Sequence, residues 1–254
     1  MGLPRVAVPE YSLKLPSSGE EIKYRPFLVK EEKLLLIATE SEDENEIIVA
    51  TKNVIKNCVF SELDIDKLPI FDIEYIFLWL RARSKGEMID LKYSCPKCKG
   101  EIPVQVNVED VKVETVDGHS NKIELTDDLG ICLKYPNMSF QSEIEALKDK
   151  DQITLMFQSV LMCIDYIYDQ KEMYSAKDYT TDELNDFLES LNDKQFEKIT
   201  MFFETAPKLK HNVKLECLRR IKDEDKKDKK KDKKVEVCGY TEDVVLEGLQ
   251  SFFD

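Results

Sequence analysis

Apolar positions along this chain change period several times, and each change predicts an element. Tyr11 to Leu15 alternates apolar and polar, Ser17-Ser18-Gly19 follows, and Ile22 to Leu28 alternates again, the pattern of a β-hairpin. Leu34 to Ala38 is a short apolar run that fits helix or strand. Ser41 and Glu44 have capping-box spacing, and a 3.6-residue stripe from Ile47 through Val54 to Cys58 predicts a helix behind them. Pro69 opens IFDIEYIFLWLRARSKGE, where only Asp72 and Glu74 are polar before Arg81. This segment predicts a helix buried on most sides and ended at Gly86.

Glu101 to Tyr135 is β-rich. Val104, Val106 and Val108 are strand-like, and Ile123–Leu125 can pair with Ile131–Leu133. A helical stretch follows, with one stripe from Ile153 to Ile164, then an acidic, tyrosine-rich run from Asp165 to Thr181. Two short amphipathic helices come next, around Leu184–Leu191 and Phe196–Phe203, and the chain returns as a strand near Val213. The expected fold is α+β: helical segments with a β-rich section closed by a zinc-ribbon-like four-cysteine site. Four sections are expected. Residues 1–92 hold the hairpin and helices, 93–135 the first cysteine knuckle and β-rich section, 136–210 a helical section, and 211–254 the second knuckle with a charged insert (218–236) and a tail.

The cysteines carry the candidate chemistry. Cys95 and Cys98 lie in YSCPKCKGEIPVQV, and Cys217 and Cys238 lie in KLEC and VCGYTEDVVL, each pair between β-prone segments. Two such halves are how a zinc ribbon offers four thiolates to one tetrahedral Zn2+. In the second half, 20 residues separate the cysteines, and Lys222 to Lys234 form the run KDEDKKDKKKDKK, which predicts a solvated loop grown from the knuckle tip. Disulfide and redox pairs are the competing readings. Nothing near the start resembles a signal-peptide core and no stretch is long enough to cross a membrane, so a reducing cytoplasm is expected, where metal is favoured over disulfide. Cys58, Cys132 and Cys163 sit in apolar patterns and are expected to be small core residues. His119 and His211 are alternative ligands, or ordinary polar residues.

Charge narrows the function classes. The formal net charge is -14, although the insert's run has eight lysines against five acidic residues. General nucleic-acid binding is not expected of so acidic a chain. There is no Gly-rich phosphate loop and no H-E-x-x-H, and a four-thiolate zinc site has no open position for substrate, so neither an enzyme nor a small-molecule substrate is expected.

Four stretches together resemble the baseplate hub and hub-assembly proteins of T-even-type, contractile-tailed phages. They are RPFLVKEEKLLLIATESEDENEI, FDIEYIFLWLRARSKGE with the following CPKC, CIDYIYD, and CGYTEDVVLEGLQSFFD. The family pattern carries two cysteine knuckles, matched by Cys95 with Cys98 and by Cys217 with Cys238; the insert is a departure from it. The resemblance implies a non-enzymatic protein, made late in infection, that builds the tail baseplate as a hub component or an assembly chaperone. Its partners would be other hub or tail proteins, met in the host cytoplasm during assembly or kept in the virion tail. A zinc-ribbon adaptor for nucleic acid or a transcription complex is the alternative. Leu246, Leu249, Phe252 and Phe253 in the tail are candidate partner-binding residues, with packing of the tail back onto its own ribbon as the alternative; Tyr166, Tyr168 and Tyr174 are a second set, otherwise expected at a packed helix end.

Overall fold

The computed structural model describes residues 6–41, 43–221, 236–248 and 251. β1 (Tyr11–Lys14) and β2 (Glu21–Tyr24) form the expected hairpin, with Leu13 opposite Ile22. Alternation turns Leu13, Leu15, Ile22 and Tyr24 inward. The hairpin turn is tied to a distant carboxylate: the Ser17 amide donates to Asp72 Oδ1 at 3.0 Å, and its hydroxyl donates to Oδ2.

The apolar run at Leu34 lies in α1 (Val29–Glu40), which packs on α2 (Glu44–Cys58). Ser41 does not cap α2. It ends α1, its amide donating to the Ile37 carbonyl at 3.3 Å and its hydroxyl to that of Ala38 at 2.8 Å. The two helices are so close in sequence that the serine is spent on the first. α3 (Ile70–Lys85) is the buried helix, ended by Gly86 at φ 109°, a conformation that side chains disfavour.

Two strands follow α3, β3 (Met88–Ser94) and β4 (Glu101–Asn107), paired through CPKCKG. After β5 (Lys112–Glu114) come β6 (Lys122–Glu124) and β7 (Leu129–Leu133), the hairpin expected at Ile123 and Ile131. α4 (Met138–Ala146) and α5 (Gln152–Cys163) lead to β8 (Ile164–Asp169) and β9 (Met173–Ser175). The tyrosine-rich run is therefore sheet, not helix end. β8 lies between β7 and β9, and its inward positions do not alternate, so it gives no period-2 signal. α6 (Thr181–Glu189), α7 (Asp193–Thr205) and β10 (Lys208–Glu216) follow. The chain ends through β11 (Arg220–Ile221), β12 (Glu236–Val237) and β13 (Thr241–Glu247).

Among the described residues, these elements bury three apolar clusters. The hairpin β1–β2 and α2 pack on Ile73, Ile76, Phe77 and Leu80 of α3. Leu78 and Ala82 of the same helix face the ribbon strands β3, β4, β10 and β13, and Tyr75 and Trp79 touch both clusters. The third cluster joins sheet β6–β9 to α5, α6 and α7. α3 is thus a shared wall, which accounts for its burial on most sides and fixes the ribbon to the body. The architecture is α+β, with the four cysteines brought together at one end of the ribbon.

Candidate metal centre

The first knuckle is the turn between β3 and β4. The Cys95 amide donates to the Gly100 carbonyl and the Lys99 amide to the Cys95 carbonyl, both at 2.8 Å, with Lys99 at φ 55°. The second knuckle joins β10 to β13 with the same pair of bonds. The Cys217 amide donates to the Tyr240 carbonyl at 2.8 Å, and the Gly239 amide to the Cys217 carbonyl at 3.1 Å, with Gly239 at φ 62°. In each, the residue after the second cysteine takes the left-handed conformation that closes the turn.

The insert does not open this turn. Leu218 and Arg219 lead into β11, Arg220 pairs with Val237 of β12, and the Cys238 amide donates to the Arg219 carbonyl at 2.8 Å. Cys217-Leu218-Arg219 followed by Cys238 therefore takes the place of Cys95-Pro96-Lys97-Cys98. The expectation of a free loop over 218–236 is corrected at its ends, which form a two-stranded ladder. The charged run 222–234 lies outside the described residues.

All four sulfurs lie within 4.8 Å of one another. Cys95 Sγ is 3.7 Å from Cys238 Sγ, and Cys98 Sγ is 3.5 Å from Cys217 Sγ. A zinc–sulfur bond of about 2.3 Å gives a tetrahedron with edges of about 3.8 Å, close to both separations. The thiols are free, and Cys95, Cys217 and Cys238 are buried with Cys98 half-buried, as a closed structural site requires.

Backbone amides aim at the sulfurs. Burial opposes ionisation of Cys95, but the amides of Cys98 and Lys97 and the neighbouring thiols bring it down to about 7. The Arg219 amide favours the Cys217 thiolate, yet burial and the other three thiols push it up to about 12. Burial likewise raises Cys238, against the amide of Tyr240. Four thiols so close cannot all ionise without a cation among them, and one divalent ion removes that conflict. Two side chains add positive charge nearby. Lys97 Nζ donates to the Cys238 carbonyl at 2.8 Å, and the Arg219 side chain lies over Gly100, where a Cβ would come within 2.4 Å of Arg219 Cδ. Lys97 and Arg219 escaped the sequence reading; a glycine two residues after the second cysteine was the available signal.

The other candidates separate from this centre. Cys58 and Cys163 are buried thiols, pushed by burial up to about 11 and about 12, and Cys132 is buried in the sheet β6–β9. His119 bonds Thr205 Oγ1 and the Tyr135 hydroxyl, each at 2.9 Å, and stacks on Phe202. His211 is a β10 residue opposite Leu246. Among the described residues, neither histidine joins the cysteine cluster.

Leu246 follows the alternative of packing onto the ribbon and is not available to a partner. It is 2% exposed in the ribbon core, where β13 alternation turns it inward. Leu249, Phe252 and Phe253 lie outside the described residues. Tyr166 and Tyr168 belong to β8, and the Tyr174 hydroxyl on β9 donates to Asp169 at 3.0 Å. Among the described residues, no helix is long and apolar enough to cross a membrane. No curated protein and no solved structure matches the chain. The family model described as T4 bacteriophage base plate protein matches residues 8–254, spanning both knuckles, and the chain belongs to that family.

Proposed function

We propose that this protein is a baseplate hub component or hub-assembly factor that works by protein–protein contact, with one Zn2+ held by Cys95, Cys98, Cys217 and Cys238. The observation carrying this reading is the convergence of two equivalently closed knuckles on four thiols, in a chain of the baseplate family. Zinc is favoured because an all-sulfur, tetrahedral-sized, buried donor set suits a structural zinc ion. Such a site is filled by protein ligands, so the metal serves the fold and performs no reaction. Its role is to fasten β3–β4 to β10–β13 across 143 residues of chain.

The structural role implied by the family fits an acidic chain whose sequence has no Gly-rich phosphate loop and no H-E-x-x-H. The partners are other hub or tail proteins. Quantitative proteomics of hub intermediates, peripheral baseplate intermediates and purified virions tests the assignment. Enrichment with the hub intermediates supports it, and retention in virions marks a permanent component. Recovery with peripheral intermediates alone overturns the hub reading.

A further inference from the structure

Helix α1 is apolar on both sides. On the inner side Ala38 is buried and Leu35 packs into the N-terminal cluster, beside the buried Glu31 that pairs with Arg25. On the opposite side Val29, Leu36 and Ile37 are 81%, 56% and 53% exposed. They share that face with exposed Lys33 and Glu40, at spacings of i, i+4, i+7, i+8 and i+11. Neither Lys33 nor Glu40 forms an ion pair among the described residues. Apolar residues on two sides of a helix call for cover on both, and among the described residues this chain covers only one side.

Reading the face in order gives cation, apolar, apolar, anion: Lys33, Leu36, Ile37, Glu40. Reversed, the same order sets an anion opposite each cation. We propose that a second copy of this chain covers the face, with the two α1 helices packed antiparallel across a two-fold axis between Leu36 and Ile37. Leu36 then meets Ile37 of the partner subunit, and Lys33 meets Glu40 of the partner subunit on both sides of the apolar centre. Such an isologous contact satisfies both charges twice with one patch. A parallel arrangement would put like charges together, so the charge pattern selects the antiparallel one. The inference does not depend on the hub reading or on the metal. The face is one helix long, small beside the interfaces of permanent dimers, so association is reversible and weakened by salt.

Sedimentation velocity on the full chain over a range of concentrations tests this. The wild type is expected to show a monomer–dimer equilibrium that weakens at high salt. Lys33→Glu leaves only anions on the face and Glu40→Lys only cations, so each variant alone should dimerise about tenfold more weakly or worse. Mixing the two variants should restore dimers, because every contact then joins opposite charges. Circular dichroism and thiol reactivity should match wild type in both, since the two side chains are exposed. A wild type that stays monomeric throughout, variants that dimerise as wild type does, or a mixture no stronger than its parts overturns the proposal.

Discussion

Gly239 donates its amide to the Cys217 carbonyl at 3.1 Å, the bond that Lys99 makes to Cys95 at 2.8 Å, although 20 residues separate the second pair of cysteines and only two the first. The chain leaves the second knuckle after Arg219 and re-enters it at Cys238 without disturbing the turn, because β11 and β12 pair at the exit. Both knuckles thus close with the same bonds despite the different lengths of chain between their cysteines.

Excising residues 220–237 joins Arg219 to Cys238 and makes a Cys-Leu-Arg-Cys knuckle. The shortened protein should bind metal with wild-type stoichiometry. Its stability should change by no more than about 1 kcal/mol, since the cost of closing a loop varies only slowly with the length of chain between its ends. Thermal melting read beside metal content checks this. A fall of more than about 5 °C with metal retained would show that the excursion packs on the body.

Asp72 is fully buried, and burial raises its carboxyl above the ordinary value of 3.8, against the two hydrogen bonds from Ser17. The folded state then holds the proton more tightly than the unfolded state. Stability from the neutral carboxyl is present in full below pH 3.8 and lost as pH rises through the folded value. Asp72→Asn keeps an acceptor for the Ser17 amide and cannot ionise. Relative to wild type, it should gain stability as pH rises from 3 to 7, and denaturant titrations at several pH values read the gap. A gap independent of pH, or one that narrows upward, contradicts the assignment.

Gly130 on β7 lies opposite Tyr168 on β8, and a Cβ there would come within 2.2 Å of the ring. Gly130→Ala should cost about 1–3 kcal/mol, the range for overpacking a filled site. In a Tyr168→Leu background the alanine should cost much less, because the ring it strikes is gone. Equal costs in the two backgrounds would mean that the strand pair adjusts without the ring.

Some of this was readable in advance. α3 announced itself through Pro69, a dense apolar run and Gly86, and both hairpins came from alternation and turn residues. All four cysteines were legible because two β-flanked pairs of thiols together make a complete tetrahedral donor set. α1 was ambiguous because Val29, Leu36 and Ile37 are apolar but exposed, so its sequence has no single buried stripe. β8 was missed because pairing on both edges, rather than alternation, makes it a strand. Leu246 was left open between a partner face and the ribbon core, because only its place in β13 beside β10 shows which way it turns. The ladder at the base of the insert pairs Arg220 with Val237, two residues that no local pattern connects.

The central claim is that four thiolates hold one zinc ion and so fasten the two knuckles. Zinc K-edge X-ray absorption on protein purified without added metal, with zinc counted per chain, tests it most directly. One zinc per chain, with four sulfur neighbours at about 2.3 Å, is the expected result. Protein that folds with no zinc and with Cys98 freely reactive, or zinc bound through nitrogen or oxygen ligands, would contradict it.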